Sequence, residues 1–123
     1  MPIVKKFEKL ECWKEARILV KLIYGLTQKK NFRKDFGLSD QIQRASVSAM
    51  TNIAEGFGRY SPKEFIRFLD FTQSSCEEVK SLLYVAFDLG YIDESELKQA
   101  YGRASDVRNL TLALIKYLRT KAY

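Results

Sequence analysis

The stretch Asn52-Ile53-Ala54-Glu55-Gly56-Phe57-Gly58-Arg59-Tyr60-Ser61-Pro62-Lys63-Glu64-Phe65 ends one helix, turns, and begins another. Ser61 is a favourable N-cap, because its hydroxyl can accept from an amide of the first turn that has no partner within the helix. Pro62 suits the first helical position, where a missing N–H costs nothing. Glu64 completes a capping box by reaching back to the cap residue. Gly56 and Gly58 suit a chain that leaves a helix and turns sharply.

Working outward from this turn, the apolar spacing predicts long helices on both sides. Upstream, Ile42, Ala45, Ser46, Ala49, Ile53 and Phe57 share a face over residues 39–57, with Ser39 as cap. Most are small, so a partner helix can approach closely. Downstream, Phe65, Phe68, Leu69, Thr72, Cys76, Val79, Leu83, Ala86 and Phe87 form a seam over residues 62–89, stopped by Gly90. Asp93 with Glu96 makes a second capping box and opens a helix over 94–121, whose face is Leu97, Ala100, Tyr101, Ala104, Val107, Leu114 and Leu118. Near the N-terminus, Trp13, Ala16, Leu19, Val20, Ile23 and Leu26 predict a helix over 9–28, preceded by an arm (residues 1–8) anchored by Phe7. Four long helices, short joins and no strand pattern predict one all-α domain over residues 1–123. The expected fold is an antiparallel up-down-up-down four-helix bundle. Leu22 on the first helix, and Phe71, Leu82 and Val85 on the third, widen the apolar arcs beyond what one neighbour covers.

Composition excludes several function classes. The 123 residues contain no histidine, which removes the usual general base, the commonest transition-metal ligand and most nucleophile triads. Glu77 and Glu78 are adjacent, so they diverge on a helix and form no carboxylate dyad. The expectation is a protein without catalytic activity, metal or cofactor. No apolar run approaches a membrane span and no secretory h-region opens the chain, so a cytoplasmic location is expected. Cys12 and Cys76 lie within helical patterns, which favours reduced, buried thiols over the rival reading of a disulfide.

The net charge of +6 is unevenly distributed. Residues 1–38 hold ten Lys/Arg against four Asp/Glu, residues 39–97 five against ten, and residues 98–123 six against one. In an up-down bundle the first and last helices are neighbours, so Lys14, Arg17, Lys21, Lys29, Lys30, Arg33 and Lys34 are expected to join Lys116, Arg119 and Lys121 on one basic side. Such a surface contacts phosphates with little base specificity. Residues 29–38 read either as a phosphate-contacting loop with Phe32 stacking on a base, or as a solvated connector with Phe32 and Phe36 pinned on the core. Arg59, Lys63 and Arg67, spaced by four beside a helix N-terminus, read either as a phosphate site or as a solvated stripe paired with Glu55 and Asp70.

Several motifs recur in order: Leu-Glu-Cys-Trp-Lys-Glu-Ala-Arg from Leu10, Ser-Asp-Gln-Ile-Gln-Arg-Ala from Ser39, Asn-Ile-Ala-Glu-Gly-Phe-Gly-Arg from Asn52, Lys-Glu-Phe-Ile-Arg-Phe-Leu from Lys63, and Asp-Leu-Gly-Tyr-Ile from Asp88. Over roughly residues 6–120 the chain resembles the bacterial four-helix-bundle proteins encoded within intervening sequences of 23S ribosomal RNA genes. It is more distantly similar to the accessory protein of diversity-generating retroelements, which binds nucleic acid with a reverse transcriptase. The resemblance implies a homopentameric ring with a central channel, and nucleic acid as a partner. Asn52, Glu55, Gly56 and Arg59 match the family motif, with a structural or a ligand-binding role. The family's Ser-Ile-Pro-Ser before this motif is replaced by Ser48-Ala49-Met50-Thr51, which implies a less kinked helix.

Two functions from different classes follow. One is an RNA- or DNA-binding module acting through the basic surface. The other is a ring-forming scaffold for a protein partner, in which basic and acidic faces meet between subunits.

Overall fold

The computed structural model describes residues 4–122, which form five α-helices and, among the described residues, no strand. They are α1 (Glu11–Thr27), α2 (Lys30–Lys34), α3 (Phe36–Phe57), α4 (Pro62–Asp88) and α5 (Glu94–Ala122), preceded by a 3-10 turn at Phe7–Lys9. Helix α3 packs on α4, α4 on α5, and α1 on both α3 and α5. One apolar core takes side chains from all five, among them Leu19, Ile23, Phe32, Ile42, Ile53, Leu69, Leu83, Ile115 and Leu118. Residues 1–3 of the expected arm lie outside the described residues. Phe7 does anchor, meeting the Trp13 ring edge-on at 5.2 Å.

The four long helices lie where the periodicity places them, and the joins depart from expectation. Residues 29–38 are not a loop. They contain α2, whose Phe32 is fully buried and stacked on Tyr91 at 5.4 Å, so it cannot stack on a base. Phe36, which the connector reading pinned on the core, is 80% exposed. The cap of α3 is Asp35, whose carboxylate accepts from the Leu38 amide at 3.1 Å. Ser39 instead lies inside the helix and donates its hydroxyl to the Phe32 carbonyl at 2.8 Å, fastening α2 to α3. Helix α3 then runs unbroken through Ser48-Ala49-Met50-Thr51.

The two capping boxes also differ. Asp93 and Glu96 form both reciprocal bonds, at 2.8 and 2.9 Å. At Ser61 only half is made: its hydroxyl accepts from the Glu64 amide at 3.3 Å, while the Glu64 carboxylate turns to Arg67. Helix α4 ends with Gly90 at φ +77°, its amide donating to the Phe87 carbonyl and that of Tyr91 to the Ala86 carbonyl. This is a Schellman closure.

Gly56 corrects the sequence reading most sharply. It is a buried residue within α3, not part of the turn, and a Cβ there would lie 2.7 Å from Phe68 Cβ and 2.9 Å from Phe65 Cδ1. Its lack of a side chain lets α3 and α4 touch. Gly58 has an ordinary helical φ of −73°, and the residue that enters left-handed space is Tyr60, at φ 55°. Two polar bonds link the same helix pair: Thr72 donates to the Ala49 carbonyl at 2.9 Å and Ser75 bonds Ser48 at 3.0 Å, while within α3 Asn52 donates to the Ser48 carbonyl and hydroxyl.

Candidate nucleic-acid interface

All thirteen cationic side chains singled out from the sequence are exposed. Three are engaged by carboxylates: Lys14 by Glu11 at 2.9 Å, Arg67 by Glu64 at 3.0 Å, and Lys29 by Glu96 at 2.7 Å. Arg67 therefore pairs within the first turn of α4, not with Asp70. The Arg67 guanidinium beside Glu64 holds that carboxyl below its ordinary range. The other ten (Arg17, Lys21, Lys30, Arg33, Lys34, Arg59, Lys63, Lys116, Arg119 and Lys121) make no ion pair at contact distance among the described residues, though Arg59 and Lys63 add to the positive field on Glu64. Arg17, Arg59 and Lys121 lie over the rings of Trp13, Phe68 and Tyr117, at 5.8, 4.9 and 5.5 Å.

These cations do not share one side. Lys29 sits on Glu96 at the beginning of α5. Lys116 lies twenty residues further along that helix, about 30 Å away at 1.5 Å per residue. The basic segment 29–34 and the basic end of α5 thus occupy opposite ends of the molecule, and the expected combination of the two is not made. Only Lys14, Arg17 and Lys21 lie between them, along α1.

The two ends differ in net charge. Around Lys29, the segments 28–35 and 88–98 carry five Lys/Arg and five Asp/Glu, and cancel. Two of the five cations there are paired, Lys29 with both oxygens of Glu96 and Lys98 with Glu94 at 3.2 Å, and the nearby Asp35 accepts from the Tyr91 hydroxyl at 3.0 Å. That bond, with desolvation, raises the Tyr91 phenol above its usual range. At the other end, segments 4–11, 55–67 and 116–121 carry nine Lys/Arg against four Glu. The additional cations there are Lys5 and Lys6, which sequence reading assigned only to the arm, and Lys9, which it placed at the start of the first helix. Their signal was the run Lys5-Lys6 ahead of an apolar anchor.

An apolar groove of about 500 Å³ opens within this cationic end, lined by Val4, Lys5, Phe57, Tyr60, Ser61, Pro62, Phe65 and Leu118. A second groove between α1 and α5, lined in part by Leu10, Cys12, Leu110, Leu114 and Tyr117, meets it at Val4. The family-motif residues sit behind this surface. Gly56 admits Phe68, Arg59 covers the Phe68 ring, Asn52 bonds within α3, and Glu55 is exposed. Cys12 and Cys76 are free and buried, with desolvation pushing their thiols up to about 11 and about 12. Neither is a nucleophile at neutral pH. Among the described residues no group of three His, Cys, Asp or Glu is placed to hold a metal, and no helix is long and apolar enough to cross a membrane.

Comparison with known proteins shows a family and a similar fold. The family model described as 23S rRNA-intervening sequence protein matches residues 8–113. A crystal structure of a protein of unknown function from the S23 ribosomal protein family of Bacteroides thetaiotaomicron is similar in fold, with a TM-score of 0.77 and 22% identity. The match covers 85% of this chain and 98% of that one. No curated protein matches the chain.

Proposed function

The chain belongs to the 23S rRNA-intervening sequence protein family, and from that premise we propose that it is a non-catalytic, cytoplasmic nucleic-acid-binding protein built as an antiparallel up-down-up-down four-helix bundle. The packing of α1 on α3 and α5, and of α4 on those same two helices, supports the bundle. So do the bonds that pair Gln41 with Glu78 and Thr72 with Ala49, which run in opposite senses along α3 and α4.

The observation that carries the functional reading is the excess of cations at the end built from segments 4–11, 55–67 and 116–121. Surface charge left without a partner creates a positive field, and a phosphate backbone is the polyanion that releases counterions on meeting it. The interface assigned here is Arg59, Lys63, Lys116, Arg119 and Lys121 with Lys5, Lys6 and Lys9. The cluster Lys29, Lys30, Arg33 and Lys34 at the neutral end has the lesser part.

The test is a salt-titrated binding assay with structured RNA, single-stranded RNA and duplex DNA, on protein whose mass in solution is measured alongside. Reversal of Lys63, Lys116 and Arg119 to Glu is expected to abolish binding and flatten the salt slope, while reversal of Lys30, Arg33 and Lys34 leaves most of it. No binding by the intact wild-type protein near physiological salt refutes the reading.

A second reading rests on α4. Val85 and Leu89, one turn apart at its C-terminal end, are exposed, and so is Phe71 on the same side nearer its start, with exposed Glu78 between them. Exposed apolar side chains rimmed by polar ones are what an interaction site presents, and the scaffold reading makes this face the seam of a homo-oligomeric ring, pentameric as family resemblance implies. A monomeric mass at micromolar concentration overturns it.

A further inference from the structure

We propose that the cationic end is a single-strand site in which an unpaired base stacks on Tyr60 within the apolar groove. This rests on the nucleic-acid reading above and narrows it from any polyanion to single-stranded RNA or DNA. Three observations converge on it.

The first is the ring itself. Tyr60 is 89% exposed, the most exposed of the large apolar side chains among the described residues, and it lines the groove. A tyrosine usually buries most of its ring, and one that stands in water exposes an apolar surface with nothing from its own chain upon it. The second is its backbone. At φ 55° Tyr60 holds a conformation that a glycine adopts freely and a side-chain-bearing residue adopts at a cost. The α3–α4 turn thus carries an aromatic ring where glycine would be the relaxed choice. Strained residues of this kind cluster at functional sites.

The third is the surroundings. The groove floor is Phe57, Pro62, Phe65 and Leu118, with Phe57 and Phe65 meeting edge to face at 6.0 Å. Arg59 and Lys63 flank Tyr60 in sequence, Lys5 lines the groove, and Arg119 follows Leu118. Flat apolar surface bordered by cations without carboxylate partners matches a polyanion with exposed bases: phosphates meet the rim and a base enters between. A duplex offers its bases only edge-on in its grooves, so it can use the rim but not the ring.

The experiment measures fluorescence anisotropy with a twelve-nucleotide single strand carrying a central 2-aminopurine, and with the corresponding duplex. Wild type, Tyr60→Ala, Tyr60→Phe and a Lys63→Glu/Arg119→Glu variant are compared. Because Tyr60 is so exposed, its truncation leaves the core intact, and circular dichroism checks this. The single strand is expected to bind tighter than the duplex, with 2-aminopurine quenched by stacking. Tyr60→Ala should lose about five-fold or more in affinity, together with the quench, at an unchanged salt slope. Tyr60→Phe should keep both. Equal affinity for the duplex, or Tyr60→Ala binding and quenching like wild type, overturns the stacking proposal. If the charge-reversed variant alone loses binding, the nucleic-acid reading survives without the stack. If wild type binds neither probe, both fall.

Discussion

Gly56→Ala is the substitution on which helix propensity and packing disagree most. In an exposed helix interior the change stabilises by about 1 kcal/mol, because glycine gives up more backbone entropy on folding. At Gly56 the new methyl would lie 2.7 Å from Phe68 Cβ, 2.9 Å from Phe65 Cδ1 and 3.2 Å from the Phe65 carbonyl oxygen. Two of those three atoms belong to the α4 backbone or its first side-chain carbon, so they cannot swing away, and the helices must separate. Overpacking of a tight core typically costs about 1–3 kcal/mol, and contact with such unyielding atoms puts this case at the upper end. Set against the propensity gain, the net destabilisation is about 1–2 kcal/mol. In urea this lowers the unfolding midpoint by roughly 0.5–1 M for a slope of about 2 kcal/mol/M. The internal control is Gly102→Ala, within α5, where a Cβ meets nothing within 4 Å. That variant should be stabilised by about 1 kcal/mol. If Gly56→Ala shifts the midpoint upward alongside Gly102→Ala, close approach is not the reason for Gly56 and the account of the α3–α4 contact fails.

Two further outcomes follow from geometry. Glu96→Ala removes both the bond to the Asp93 amide and the partner of Lys29, and should cost about 1 kcal/mol, whereas Glu64→Ala, at the same box position but bonded only to exposed Arg67, should stay within about 0.5 kcal/mol; chemical denaturation of the pair decides it. The buried thiols stay protonated in the folded chain while unfolded thiols ionise near pH 9. Their contribution to stability is therefore complete below pH 9 and is lost as pH rises towards 11–12, a decline that Cys12→Ala/Cys76→Ala should flatten in urea titrations at stepped pH.

The long helices were legible because each carries a single apolar period for more than four turns, and Ser61, Gly90 and Asp93 mark their ends. The α1–α3 join was not. Ser39 looks like a cap because serine prefers that position, yet Asp35, four residues earlier, holds it. The intervening α2 is too short for a period to show. The use of Gly56 was hidden for a related reason: a glycine needed for a turn and one needed for contact look the same in one dimension, and only the position of Phe68 separates them. The interface was half legible. Adjacency of the first and last helices was anticipated, but adjacency says nothing about height along the axis, and height places segment 29–34 beside Glu96 rather than Lys116. Tyr60 gave no signal, since an aromatic in a turn reads as an ordinary connector residue.

The hydroxyl bonds between α3 and α4 bear on which of several packings the chain adopts. At this contact α3 presents Ala49 and Gly56, residues with little relief, so two such helices could slide by a turn at modest cost in apolar contact. A slide of one turn is about 5.4 Å. It would carry Thr72 away from the Ala49 carbonyl and Ser75 away from Ser48, leaving buried oxygens unmatched at about 1–3 kcal/mol each. Those bonds add little net strength to the correct arrangement, but they make the shifted one expensive. They work as the notches of a key, selecting a single alignment of two smooth surfaces, and through it the position of the turn that carries Tyr60.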